Sequence, residues 1–255
     1  MEKEVKFSLV FRDMWQSAGK YVPRVDQLVK VAPALSKWGV LLVLKQMGEV
    51  LNKLICFLEK TRIKLCVNGQ NVSRSRYSDT YVRPCLEWLA HESGSCDVRK
   101  LFYKVKKAQG TDITRTFCGL NDVRNIIPSI GYAHDAGMIS QCCLCITYSP
   151  VHTVEYYLDM AKKLIEAGCD EICIKDMAGI GRPVFLGKIV AGIKQIKKDI
   201  TIQYHSHAGP GFNMASILEV CKAGCDYVDV GMDLFHGVQD MPMYQCAGNV
   251  ERCRF

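Results

Sequence analysis

With 255 residues and 49% hydrophobic composition, the chain has the length for one large core and argues against a two-domain division. Its net charge of +7 comes from Lys and Arg scattered among Asp and Glu, and no basic stripe alternates with aromatics, so nucleic acid is not an expected partner. The opening Met1-Glu-Lys-Glu-Val-Lys6 is charged and no stretch approaches the roughly 20 apolar residues of a membrane span, so neither a secretory signal nor a transmembrane segment is expected.

In chain order, Phe7–Phe11 reads as a strand ending at Arg12-Asp13, followed by a helix from about Arg24 to Trp38. About 105 residues separate Asp13 from Cys118, room for two further strand–helix units within 41–96. The text there changes character, however, and Leu65 to Asp79 sustains neither a helical nor a strand period.

From residue 97 the alternation is regular. Val98–Gln109 reads as a helix, Ile113–Phe117 as a strand, Val123–Ala136 as a helix and Ile139–Thr147 as a strand. Helix Val154–Ala167, strand Glu171–Ile174, helix Pro183 to about Lys197, strand Ile202–His205, helix Gly211–Ala223 and strand Tyr227–Val230 follow. Pro183 suits a first helical turn, and Gly168 and Gly224 suit helix stops. Strand–helix–strand units with short loops imply parallel strands and right-handed crossovers. Counting the N-terminal strand and two in 41–96 gives eight, the number that closes a (β/α)8 TIM barrel of the α/β class over 1–255.

The fourteen cysteines do not form the pattern of a short disulfide-rich secreted chain. Cys142, Cys143, Cys145 and Cys173 lie inside apolar runs and read as small buried hydrophobes. Cys169/Cys173 and Cys221/Cys225 have the spacing of metal pairs but lack a second pair at ribbon-like distance, so core packing is the better reading. A reduced, cytoplasmic protein is expected.

Two stretches carry the chemistry. Glu171-Ile-Cys-Ile-Lys-Asp-Met-Ala-Gly179 and His205-Ser-His207 each end an apolar run in ionisable side chains at the C-terminal end of a strand. In a parallel barrel that end is where active sites are built. His205 and His207 are two apart and share one face of a strand. A buried Lys-Asp pair alone is most often structural, and so, half the time, is a lone His-x-His. Their coincidence at successive strand ends is what favours a site. His152, in Ser149-Pro-Val-His-Thr153, reads as a helix-entry residue.

The motifs Arg12-Asp-Met-Trp-Gln-Ser17, Phe117-Cys-Gly-Leu-Asn-Asp-Val-Arg-Asn125, Ser149-Pro-Val-His-Thr153, Ile172-Cys-Ile-Lys-Asp-Met-Ala-Gly179 and His205-Ser-His-Ala-Gly-Pro-Gly211 cover roughly 6–40 and 97–232. In them the chain resembles the carboxyltransferase domain of biotin-dependent enzymes: pyruvate carboxylase, the oxaloacetate decarboxylase α subunit and the transcarboxylase pyruvate-binding subunit. The Arg-Asp start and His-x-His are shared with the wider hydroxymethylglutaryl-CoA lyase-like superfamily, whereas the lysine motif selects the carboxyltransferases. The resemblance implies a divalent metal of the Zn2+ or Mn2+ type held by Asp13, a carboxylated Lys175, His205 and His207. An ammonium cannot ligate a cation, but a neutral lysine can add CO2, and the carbamate is an anionic oxygen ligand. The metal would polarise a 2-oxo acid and stabilise its enolate. Catalytic roles are implied for Lys175, Gln16, Arg12 and Asp176, with Gln16 near substrate and Arg12 and Asp176 as supports. The implied partners are pyruvate or oxaloacetate, a biotin carboxyl carrier, a biotin carboxylase subunit and further copies of the chain. No biotin-attachment sequence or Gly-rich ATP loop is present, so biotin arrives on a separate carrier or lost region.

Family strand ends containing Trp-Gly-Gly and Arg-Gly-x-Asn have no counterpart in 41–96, nor is there a Ser/Thr loop after the last strand or an arginine for the substrate carboxylate. Residues 41–96 and 233–255 are therefore read as out-of-frame translation, since shifted codons chosen for Asp233 to Met243 yield a Ser/Gly/Thr-rich loop. On that reading the literal polypeptide is expected to fold poorly or to be inactive, with an incomplete barrel. Competing readings are a carbon–carbon lyase or acyl-CoA condensing enzyme of the same superfamily, and an inactive barrel fragment or assembly subunit.

Overall fold

The computed structural model describes residues 5–9, 41–46, 78–84, 95–108 and 111–231. Eight parallel strands pair in chain order and close on themselves, with β1 (Lys6–Leu9) lying between β2 (Leu41–Gln46) and β8 (Tyr227–Val230). The two strands expected within 41–96 are β2 and β3 (Ser78–Pro84), which pair with each other and join β1 to β4 (Ile113–Phe117). The ring of strands is thus complete. The remainder of 41–96, the helix expected at 24–38 and the stretch 233–255 lie outside the described residues.

Five crossover helices are described: α1 (Cys96–Ala108), α2 (Val123–Asp135), α3 (Val154–Glu166), α4 (Pro183–Ile196) and α5 (Asn213–Lys222). Three end in the same way. Gly137, Gly168 and Gly224 take positive φ after α2, α3 and α5, and the amide beyond each glycine reaches back into the last turn, as Cys169 N does to Leu164 O at 3.0 Å. Two of the three are the glycines whose position marked helix stops in the sequence; at a left-handed position a Cβ would be strained. Asp122 and Thr153 cap α2 and α3 by accepting from Arg124 N and Tyr156 N. Among the described residues no helix is long and apolar enough to cross a membrane.

Two distinct interiors follow from strand alternation. Outward-facing residues of β5 (Ile139–Cys145), β6 (Glu171–Asp176), β7 (Thr201–Ser206) and β8 form the apolar layer: Cys142, Leu144, Ile172, Ile174, Ile202, Tyr204, Val228 and Val230. Against them pack Tyr157, Met160, Ala161 and Leu164 of α3 and Leu186, Ile189, Val190 and Ile193 of α4, the helical i, i+3, i+4, i+7 pattern. Each such aliphatic side chain contributes about 1.5–3 kcal/mol on burial. The alternate residues point into the barrel, and there the filling is polar: Arg115, Gln141 and Gln203 are buried and bonded to one another, to Glu171 and to Asp229.

The nine described cysteines are all thiols; Cys96 alone among them is exposed. Burial pushes the Cys145 thiol up to about 12, against the pull of Lys175. In the native protein, Cys96 is therefore expected to react with a disulfide reagent well before the other eight, which should require unfolding. Peptide mapping after brief labelling checks this, and early modification of Cys143 or Cys173 would show that the barrel interior opens.

Candidate metal centre

Lys175 is the fifth residue of β6, buried, and level with Cys145 on one side and His205 on the other. Its ammonium lies 5.2 Å from the centre of the Phe117 ring, which the last position of β4 presents to it. His205 is fully buried and its Nδ1 lies 2.8 Å from Asp229 Oδ2 on β8. The His207 ring follows on the same face, 5.1 Å away centre to centre and nearly perpendicular. Three of the four expected ligands thus come together at the C-terminal mouth of the barrel. Asp13, Arg12 and Gln16 lie outside the described residues.

Asp176, next in sequence, alternates to the other side of the strand and acts on the loop. Its carboxylate accepts from Ile180 N at 3.1 Å, Gly181 N at 2.7 Å and Ser206 Oγ at 3.4 Å, while its carbonyl accepts from His207 N at 3.2 Å. Burial pushes its carboxyl above the ordinary range, opposed by the loop amides of Gly181, Ile180 and Gly179. One side chain therefore ties the β6–α4 turn to the strand that carries both histidines. Gly179 completes the fit: it sits at φ +66°, and a Cβ there would run into the His207 carbonyl oxygen and lie 3.0 Å from the carbonyl carbon.

The neighbouring loop is held just as closely. Asn121, in the left-handed region at φ 55°, extends the ladder of β5 by donating to Cys145 O at 2.7 Å and accepting from Cys145 N at 2.9 Å. Tyr157 Oη donates to the same carbonyl and accepts from Thr147 N at 2.9 Å. His152 stays in the turn before α3, its Nδ1 2.7 Å from Ser149 Oγ, as a helix-entry residue. Leu120, Val151, Met177 and Phe212, on four successive βα loops, leave this face with an apolar rim.

What the motifs did not reveal is the support behind the histidine. Arg115, fully buried, pairs with Asp229 at 2.6 Å. Burial, the largest single influence, would lower the Arg115 pKa; the Asp229 carboxylate and the neighbouring Cys173 and Cys143 together outweigh it, and the net shift is upward. The available signal was a polar residue at alternate positions of strands otherwise apolar on both faces.

Among the described residues no three His, Cys, Asp or Glu side chains are grouped to hold a cation; the described part of the expected set is two imidazoles and a lysine. In chemistry that set fits a divalent ion. Imidazole is an ordinary zinc or manganese ligand, His205 is oriented by a carboxylate as metal-binding histidines are, and Lys175 becomes an oxygen donor on carboxylation.

Residues 120–234, on the closed eight-stranded barrel, match the family model HMGL-like. Over part of its length the chain is similar to components of pyruvate carboxylase and of methylmalonyl-CoA carboxyltransferase. It is 38% identical over 181 residues to a pyruvate carboxylase subunit from Methanocaldococcus jannaschii, covering 70% of this chain and 28% of the relative. It is 30% identical over 176 residues to the methylmalonyl-CoA carboxyltransferase 5S subunit of Propionibacterium freudenreichii subsp. shermanii, covering 69% and 32%. The carboxyl transferase domain of Rhizobium etli pyruvate carboxylase, solved with pyruvate, superposes with a TM-score of 0.90 at 23% identity, covering 98% of this chain and 43% of that one, a likeness of fold. The chain spans under a third of the length of these curated relatives.

Proposed function

We propose that the chain is the barrel of a biotin-dependent carboxyltransferase that moves a carboxyl group between carboxybiotin and pyruvate or oxaloacetate. The observation that carries this reading is the level placement of Lys175 and His205 on adjacent strands, with His207 beside them, at the mouth of the barrel. The names of the relatives, one a pyruvate carboxylase component and the other a methylmalonyl-CoA carboxyltransferase component, support it. Asp13, carboxylated Lys175, His205 and His207 would hold a divalent metal, whose contribution when bound is Lewis-acid stabilisation of negative charge on a 2-oxo acid. Gln16 is assigned to the substrate side, and Arg12 to support of the site. Asp176 keeps the β6–α4 turn against His207 and so fixes that ligand's backbone. Biotin would be delivered by a separate carrier, for which the exposed Leu120, Val151, Met177 and Phe212 offer an apolar landing. Homo-oligomerisation and a cytoplasmic setting belong to the same proposal.

The test is oxaloacetate decarboxylation in the presence of biotin, with metal content measured in parallel. Activity and close to one bound Mn2+ or Zn2+ per chain are expected, both lost in Lys175→Ala. Bound metal with cleavage of an acyl-CoA substrate instead would point to a superfamily lyase; neither metal nor activity would leave an inactive barrel. The out-of-frame reading of 41–96 and 233–255 is retained as a separate proposal, under which the literal polypeptide would be inactive, and the nucleotide sequence decides it. Alternative frames interrupted by stop codons would end it.

A further inference from the structure

The interior polar residues form a circuit with one direction, and its direction is dictated by Arg115. A guanidinium only donates, so Arg115 Nε must face the carbonyl oxygen of Gln141. That turns the Gln141 amide group toward Gln203 Oε1 at 2.9 Å and Glu171 Oε2 at 2.7 Å. Gln203, its oxygen taken, turns its own amide group on Asp229 Oδ1. Arg115 Nη1 meanwhile donates to Asp229 Oδ2 at 2.6 Å, closing the loop. Asp229 is thus clamped at both oxygens by donors whose orientation none of them can reverse without breaking a buried bond. Facing a guanidinium, it is a carboxylate and can only accept.

We infer that Asp229 is a positioning residue that locks His205 as the Nδ1–H tautomer, so that Nε2 is the basic nitrogen presented at the barrel mouth. His205 Nδ1 meets the same Oδ2 at 2.8 Å, and against an acceptor-only oxygen this nitrogen carries the proton. The circuit runs from Glu171, the first residue of β6, up to His205 near the end of β7, so a side chain at the floor of the barrel takes part in setting the tautomer at its mouth. The value of that tautomer as a ligand rests on the proposed metal centre; the tautomer itself does not.

The experiment is nitrogen NMR of the metal-free protein labelled in its histidine rings, at neutral pH, with the His205 signals assigned by their loss in His205→Gln. A pyrrole-type Nδ1 and a pyridine-type Nε2 are expected; any other pattern overturns the inference. In Asp229→Asn, the oxygen that serves both Arg115 and His205 and the acceptor that serves Gln203 cannot both be kept, so a mixture of tautomers is expected. Affinity for added Mn2+ or Zn2+ should fall about 10–100-fold by calorimetry. Gln141→Met breaks the circuit two links from His205 and serves if Asp229→Asn does not fold; it should loosen the tautomer in the same direction, and an unchanged signal would show that the circuit does not reach His205. A wild-type protein with the expected tautomer that binds no metal would refute the metal centre alone, and one that binds metal through the opposite tautomer would refute the circuit alone.

Discussion

Arg115→Met is expected to cost about 3–5 kcal/mol of unfolding free energy, the penalty for removing one partner of a buried ion pair. The reason lies in what remains. Arg115 and Asp229 are enclosed at 0% and 1% side-chain exposure, so the carboxylate left behind would be buried away from solvent. Gln141 loses the donor to its carbonyl in the same step, while Asp229 keeps His205 and Gln203 as donors but loses its counter-charge. Urea denaturation gives the number. Arg115→Met combined with Asp229→Leu is expected to recover most of the loss, because the apolar pair leaves no charge unpaired. A single-variant loss under about 1 kcal/mol would mean that Asp229 is not held as an ion by Arg115.

Gly179→Ala should be the most damaging alanine exchange among the described glycines. Two costs coincide there. A left-handed backbone position disfavours any Cβ by about 1–2 kcal/mol, and this Cβ is directed at the His207 carbonyl, with Pro210 Cδ at 3.1 Å closing the other side. The obstacle is backbone, so relief must come from displacement of the His207 peptide. Under the proposed function, moving His207 by about 1 Å can cost on the order of 100-fold in turnover. Oxaloacetate decarboxylation at least 100-fold slower is expected, together with a thermal midpoint lowered by several degrees. An alanine variant with normal turnover would show that the turn gives way without moving His207.

From Ile113 to Val230 the fold was legible because each element carries its own punctuation. Gly168 and Gly224 stop helices where the structure has positive φ, Pro183 opens α4, and the strands are short apolar runs between them. Ends were less legible: β6 runs on through Lys175 and Asp176 because β7 continues to pair with it, and pairing is a property of two strands together. β3 was unreadable for a related reason. Ser78-Asp-Thr-Tyr-Val-Arg-Pro84 has neither sustained alternation nor an apolar run, and it is a strand through its bonds to β2 and β4. Of the site, Lys175, His205 and His207 were visible as ionisable residues ending apolar runs. Arg115, Gln141, Gln203 and Asp229 were not, since their partnership joins strands up to 114 residues apart. Asp13, Arg12 and Gln16 rest on motif resemblance.

Most barrels of this kind are plugged with branched aliphatics. An engineer seeking a hardier version of this one would be drawn to replace its polar, salt-like plug with Leu, Ile and Val, and such exchanges of buried ions for greasy side chains are often neutral or gain about 1–4 kcal/mol. The toughened scaffold would have nothing left to tell the imidazole at its lip which nitrogen to offer. Durability and competence therefore compete for the same few cubic ångströms at the heart of this molecule.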